Sequence, residues 1–353
     1  LYQKMNTTQK FEDTEMFNLH KNEFILYDTT CNIPVQSGKE GIQRLSEHRN
    51  PEVVYRWNSL SVLQKVDYCY KLVDLRELRK QNNYGFPGKS IQEAHKEAAT
   101  QYRLLADKCA LKEVEIIEYK RQQDSSGYYG REYAQQKTAA QRLPIELRSL
   151  FYKGDQDVDM VDAIRRMCYD TLDKVDGFPT FKLSVENRDS IRTKIANSHE
   201  CNIDNAKDLM TKPSFTETKK DYGECYRSWC RKFDVNEVPE WRNWYNEYAK
   251  ECHKIRTIML NMQPEFRKRA KIKKKNQFYD GEEISNTEGS AFAFLLHTKE
   301  WDVLYDARQW WEDRGCTTNA SIHDGCHMRG SFDVNALTNY IRGKHGWKMF
   351  EFK

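Results

Sequence analysis

Two acidic stretches, far apart in the chain, constrain its fold more than any other feature. The first is Asp155-Gln156-Asp157-Val158-Asp159-Met160, and the second is Ser321-Ile322-His323-Asp324-Gly325. The second follows an apolar approach, Asn319-Ala320-Ser321-Ile322, as a strand entering a tight turn does. An acid at a hairpin tip, with Gly325 expected to permit the turn, is well placed to hold a metal ion. In the first stretch, Gln156 to Val161 alternates as a strand, and a helix start follows with Asp162 near its first turn. Three aspartates so close together ordinarily mark an exposed turn, so a functional role needs at least one of them at a strand end facing a cleft. If Asp157 and Asp324 grip metal ions together, distant segments must converge. A sheet achieves that more readily than a helical bundle.

The chain has 353 residues, enough to bury a sizeable core as one large domain or two to three subdomains. Charged residues at 31% and aromatics at 12% fit a globular protein and exclude a disordered one. No apolar run approaches the roughly 20 residues that cross a bilayer, so no membrane partner is expected. The start, Leu1-Tyr2-Gln3-Lys4, is not a secretory signal, and the missing Met points to a fragment or a processed chain. Ten cysteines lack a regular framework and read as reduced thiols of an intracellular protein. Cys225, Cys230, Cys252 and His253 match no common zinc spacing, and buried free cysteines are ordinary. A net charge of +4 does not announce a nucleic-acid binder, so the distribution of charge has to.

Residues Phe24 to Tyr27 read as a short strand, and Gly38 and Gly41 flank a turn. From Pro51 the pattern turns helical, broken by a loop over 81–88 and resumed from Ser90 to Cys109. Val114 to Tyr119 reads as a strand, followed by the turn Asp124-Ser125-Ser126-Gly127. Residues 171–285 are mostly helical, including Asp189 to Ala196 and Asp204 to Met210, the latter ended by Lys212-Pro213. The aromatic series Tyr226, Trp229, Phe233, Trp241, Trp244, Tyr245 and Tyr248 reads as core, with base stacking the sharper alternative. Seven of the nine residues from Arg267 to Lys275 are basic, which makes either a solvated segment or a phosphate contact. A long helix opens at Asn286 with small residues Gly289, Ser290 and Ala291, and is expected to turn Arg308 or Arg314 outward. The chain should close with a helix from Leu337 to Arg342 and a strand from Trp347 to Phe352.

In order, Gly130-Arg131, Ala140-Gln141-Arg142-Leu143-Pro144, Leu147-Arg148, Asp157, Glu288-Gly289-Ser290-Ala291 and Ile322-His323-Asp324-Gly325 form a series. That series resembles family A DNA polymerases over roughly residues 115 to 353. Within the family it is most similar to the compact polymerase modules of transposons, virophages and large DNA viruses, through Asp157-Val158-Asp159-Met160, Asn187-Arg188 and Ala206-Lys207. The sequence departs from the family where Ile203 stands in place of a fingers arginine, where Ser214-Phe215 lie near the expected Tyr-Gly, and where Ile164-Arg165 replace a His-Pro pair. These departures fall on nucleotide binding.

The resemblance implies an α+β right hand with an antiparallel palm sheet. Residues 1–113 would be a mainly helical thumb-like or accessory region, 114–169 and 286–353 the two parts of the palm, and 170–285 helical fingers. It implies a DNA-directed DNA polymerase that extends a primer 3′ end by two-metal catalysis and lacks proofreading. Two Mg2+ ions would be held by Asp157, Asp324 and the carbonyl of Val158, with Asp159 a weaker candidate, and His323 would steady the primer terminus. Lys207 and Asp162 would bind the incoming deoxynucleoside triphosphate. Arg131, Gln141, Arg148, Gly289, Ser290, Lys271, Lys273 and Lys274 would contact the primer-template, and a helicase or other replication protein is an implied partner. Two other readings stay open: a polymerase-like protein that binds nucleic acid or a larger assembly without catalysis, and a primase- or RNA-polymerase-type activity on the same palm.

Overall fold

Helix dominates the chain, and its strands are short and gathered into small sheets. The structure is a computed structural model that describes residues 42–80, 91–125, 127–172, 175–215, 222–274, 278–279, 282–283 and 287–353. Strand β1 (Ile42–His48) leads to helices α1 (Pro51–Ser59), α2 (Val62–Lys80) and α3 (Ile91–Cys109). Strands β2 (Val114–Asp124) and β3 (Gly127–Ala134), helix α4 (Ile145–Phe151) and strand β4 (Gln156–Asp159) follow. Next come α5 (Ala163–Thr171), α6 (Pro179–Glu186), α7 (Arg188–Ser198), α8 (Ile203–Phe215), α9 (Tyr222–Phe233), α10 (Pro239–Met262) and α11 (Glu265–Lys274). Two-residue strands β5 (Phe278–Tyr279) and β6 (Glu282–Glu283) precede α12 (Thr287–Glu312), the hairpin of β7 (Thr317–Ile322) and β8 (Gly325–Arg329), and α13 (Val334–His345). Among the described residues the sheets run β1-β2-β3, β4-β8-β7 and β5-β6.

The chain divides into two compact units. One comprises the described residues up to Lys120 with Glu132–Val158 and Glu312–Phe332; the other comprises Arg121–Arg131, Asp159–Trp311 and Asp333–Lys353.

In the first unit, Asn50 starts α1 by accepting a hydrogen bond from the Val53 amide, and Pro51 fits the first helical position, where no amide is needed. The helix buries Val53, Val54 and Trp57 against α2, α3 and α4, in a core that also takes Ala320 and Ile322 of β7. The Trp57 indole donates to Asp107 at 3.0 Å, so a large apolar side chain is buried without an orphaned donor. Strands β1 and β2 pair antiparallel from Ile42↔Lys120 to His48↔Val114.

Asn319 is an extra residue in β7, lying between the pairs Thr318↔Met328 and Ala320↔His327. A bulge of this kind turns one residue out of the ladder. Its carboxamide accepts from the His48 amide at 2.6 Å and donates to the His48 carbonyl at 2.8 Å, as a neighbouring strand would. It also donates to Asp155.

The second unit is built on helices. Tyr226, Trp229, Tyr245 and Tyr248 are fully buried, so the aromatic series is core. Helix α8 does not end at Lys212-Pro213 but runs on to Phe215 with Pro213 inside it. Only two residues follow the proline, so its missing donor falls in the last turn, where few further bonds are lost. Of Arg308 and Arg314, one or the other of which was expected outward, Arg314 is exposed and Arg308 is buried, because α12 is enclosed on more than one face: Glu300, Leu296 and Trp311 are buried too. The expected closing strand is reduced to a single bridge between Phe352 and Met160. Phe24 to Tyr27, the Gly38 turn and the 81–88 loop lie outside the described residues.

Candidate active site

The hairpin carries the second acid as the sequence pattern required, with one correction. Pairing of Ile322 with Gly325 leaves His323 and Asp324 as a two-residue turn. The left-handed residue is His323, at φ +49°, and not Gly325, which begins β8. Such a turn needs a positive φ at a central position, and the glycine falls one place too late to supply it. His323 is exposed, with its ring edge-on to Tyr133 at 6.5 Å, and Asp324 is half-buried.

Strand β8 lies between β7 and β4, so the strand leaving Asp324 is the direct neighbour of the strand carrying Asp157. The Asp157 side chain is 57% exposed, while Val158 beside it is buried, as strand alternation requires. His327, three residues beyond Asp324, is the group that meets Asp157, with Nε2 3.8 Å from Oδ1. The offset from the turn to His327 is roughly 10 Å along the strand.

Behind this pair the site is tightly tied. Nδ1 of His327 lies 3.9 Å from Oδ2 of Asp155. The Asp155 side chain is buried and accepts from Arg329 Nε at 2.9 Å and from Asn319. The His327 ring sits edge-on to Tyr152 at 5.7 Å. Burial lowers the His327 pKa, with Asp157 and Asp155 working against that shift and Arg148 with it. Deeper still, Glu47 is fully buried and accepts from the Tyr119 and Tyr152 hydroxyls and from the Ala140 amide at 2.9 Å. Desolvation raises its pKa to about 7 despite those donors. The Tyr119 hydroxyl accepts in turn from the Ser321 amide at 3.3 Å, which joins this network to β7.

Of the other residues singled out in the sequence, Gln141 and Arg148 lie in the same unit as Asp157, His323 and Asp324. Gln141 bridges backbone: its Oε1 accepts from Ala134 at 2.8 Å and its Nε2 donates to the Glu132 carbonyl at 3.1 Å. Arg148 is half-buried on α4 and, among the described residues, has no ion-pair partner within 4 Å.

The remaining candidates belong to the second unit. Arg131 grips the buried Glu300 with both Nε and Nη2, at 2.6 and 2.8 Å. Asp162 caps α5 at φ +53°, and its carboxylate meets Arg165 at 2.6 Å, Arg192 at 3.4 Å and Arg188 at 3.9 Å. Burial, and then the neighbouring guanidiniums, bring Arg192 down to about 10, with Asp162 opposing. Lys207 is exposed on α8, and Ile203 is half exposed one turn earlier. Gly289 is buried and Ser290 half-buried at the start of α12. In α11, Lys271 is exposed and Lys273 and Lys274 fall in the last turn. The basic run is not uniformly solvated: Arg267 pairs with Glu288 at 2.8 Å, and Arg269 pairs with Asp124 at 2.7 Å and lies against Tyr129.

Sequence reasoning named Asp155 only as a member of the acidic stretch and passed over His327 and Tyr133. The one local signal for His327 was a histidine placed two residues after Gly325, and so on the same strand face as that residue.

No protein-family model matches the chain, and no curated protein matches it. A solved structure described as the POL domain of Pol1 from M. smegmatis, in complex with DNA primer-template and dNTP, aligns at 11% identity over 85% of this chain, with a TM-score of 0.45. This chain spans 64% of that structure. A likeness at this level carries no assignment.

Asp157 and Asp324 are hard oxygen donors, and neither has a Lys or Arg within ion-pair distance among the described residues. No group of three or more His, Cys, Asp or Glu suited to a metal ion occurs among those residues. Two carboxylates are the donor set that Mg2+ uses when water and substrate phosphates complete its octahedron.

Proposed function

We propose that this chain is a template-directed nucleotidyltransferase of the DNA polymerase type, which extends a primer 3′ end. The observation that carries the reading is the β4-β8-β7 sheet, in which Asp157 and the strand leading from Asp324 are neighbours and neither carboxylate has a Lys or Arg within ion-pair distance among the described residues. In this reading the sheet is the palm of a right hand, and the helices of the second unit include the fingers. Asp157, Asp324 and the Val158 carbonyl would hold two divalent cations, whose chemistry would be a lowered pKa for the primer hydroxyl and charge stabilisation for the leaving pyrophosphate. Asp157 and Asp324 are the side chains that would offer oxygen ligands to those ions. His323, exposed beside Asp324, contacts the sugar or phosphate of the primer terminus. Arg148 contributes an unneutralised charge to the duplex backbone, which positions without reading sequence.

Lys207 binds the triphosphate as a point charge, and Asp162 acts through the arginines around it. Arg131 and Gln141 serve the duplex indirectly, by fixing strand β3. Gly289 and Ser290 allow a close approach of the primer-template at the start of α12, and Lys271, Lys273 and Lys274 add salt-dependent affinity. A family A origin in a viral or mobile element, with a helicase as partner, belongs to the same proposal, as does a reducing compartment for its free cysteines.

Primer extension with Mg2+ or Mn2+ tests the reading directly. Asp157→Ala and Asp324→Ala should each abolish extension while leaving the circular dichroism spectrum intact. Extension at near wild-type rate by either variant would remove the assignment of the acids. A second reading, nucleic-acid binding without catalysis, draws on the exposed Ile203 where the resembling family carries arginine. Salt-dependent binding with no extension on any template, DNA or RNA, would favour it.

A further inference from the structure

We infer that Tyr133 and His323 form an aromatic corner that receives the terminal nucleotide of a nucleic-acid strand, with the Tyr133 ring as the surface on which its base stacks. The inference rests on the nucleotidyltransferase reading and adds Tyr133 to it.

Strand β3 alternates at this point: Glu132 and Ala134 are buried, and Tyr133 between them is exposed. A lone exposed tyrosine is ordinary on a protein surface. This one differs in how its backbone is held. The Gln141 carboxamide donates to the Glu132 carbonyl at 3.1 Å and accepts from the Ala134 amide at 2.8 Å, one bond on each side of it. The Tyr133 carbonyl accepts from Gln135 Nε2 at 2.8 Å. An aromatic ring on a strand held in this way presents a fixed face to a partner, and little freedom is lost on binding. Its hydroxyl makes no hydrogen bond among the described residues, so no internal bond accounts for where the ring stands.

What the ring does meet is His323, in the turn that carries Asp324. The two rings lie 6.5 Å apart with their planes at 64°. An edge-on pair covers at most one ring face, so the corner stays open to a flat guest. His323 keeps its place at φ +49°, a conformation that glycine adopts more cheaply. Both rings belong to the same compact unit as Asp324. A strand end brought to Asp324 therefore arrives beside both of them. Every base has a π-face, so a tyrosine takes the terminal base whatever its identity. That contact neutralises no phosphate, which separates it from the contacts proposed for the lysines and Arg148.

Wild type, Tyr133→Ala and Tyr133→Phe are compared for primer-template Kd across a salt series, and for photo-cross-linking to a primer whose 3′ base is iodouracil. Neither measurement needs a metal or a nucleoside triphosphate. In wild type the cross-link should map to Tyr133. Tyr133→Ala should lose it and raise Kd about ten-fold, the scale of one stacked base, with the slope of log Kd against log salt unchanged. Tyr133→Phe keeps the ring and should stay within about two-fold of wild type in both readouts. Thermal midpoints of the three should agree, because the side chain is exposed. A Tyr133→Ala Kd within about two-fold of wild type overturns the inference, and so does a Phe variant as weak as Ala. A wild-type cross-link anywhere but Tyr133 overturns it too, and that result needs no variant to fold.

Primer extension separates the inference from the reading beneath it. Wild type that extends no primer, yet cross-links at Tyr133, retires the nucleotidyltransferase reading and leaves the corner as a binding site for a strand end. Wild type that extends primers but cross-links elsewhere does the opposite. No primer-template binding at all overturns both.

Discussion

In the first unit the Asp157 carboxylate is 57% exposed and has one imidazole within 4 Å; in the second, that of Asp162 is 8% exposed and has three guanidiniums within the same distance. Both come from one acidic run. Where charge is matched and buried, a carboxylate becomes part of the frame, and removing it strands its partners. Where it is left open, it keeps its capacity for a cation. The same contrast holds for the two buried glutamates. Glu300 is gripped by Arg131, while Glu47 has two tyrosine hydroxyls and an amide.

The largest effect expected of breaking this comparison is on catalysis. Asp157→Asn should lower the extension rate by roughly 1000-fold, the scale of the several kcal/mol that metal-assisted charge stabilisation supplies. Its unfolding free energy should move by no more than about 0.5 kcal/mol, because little in the fold depends on it. Asp162→Asn should show the reverse weighting, with a stability loss of about 3–5 kcal/mol in denaturant unfolding. Equal destabilisation by the two variants would erase the distinction.

Glu47 gives the next effect. Its pKa in the fold, about 7, lies above the ordinary 4.5, so the folded state holds a proton that the unfolded chain has released. The stability it contributes is fully present below pH 4.5 and is lost as pH rises through about 7, on the order of 3 kcal/mol in total. Glu47→Gln should flatten that window in a stability-versus-pH series. A slope unchanged by the substitution would place the titrating group elsewhere.

The smallest effect concerns Gln141. Its replacement by Ala leaves the Ala134 amide without its acceptor and should cost about 1–2 kcal/mol, with primer-template affinity changed less than two-fold. A selective loss of affinity at full stability would return Gln141 to direct duplex contact.

The strand around Asp157 and the turn at Asp324 were legible in the sequence, because alternation and turn propensity are local. Most helices were legible for the same reason, and Pro213 misled only by a fraction of a turn. What was hidden depends on partners distant in sequence. His327 meets Asp157 only because β8 pairs beside β4. Arg131 and Arg269 look like free charges until Glu300 and Asp124 are brought against them. Gln141 imitates a ladder bond to β3, and no local pattern announces that. The positive φ at His323 rather than Gly325 was missed because a one-residue shift in where a turn closes leaves the composition of the turn unaltered.

The irregularity at Asn319 has a consequence for how this hairpin tolerates change. Without that residue, Thr318 and Ala320 would follow each other in unbroken register opposite Met328 and His327, and the two strands would zip together at least as well. What would go is the carboxamide that ties β1 to β7 and steadies the acid behind the imidazole. A tidier hairpin would keep its own shape and lose its grip on the neighbouring strand.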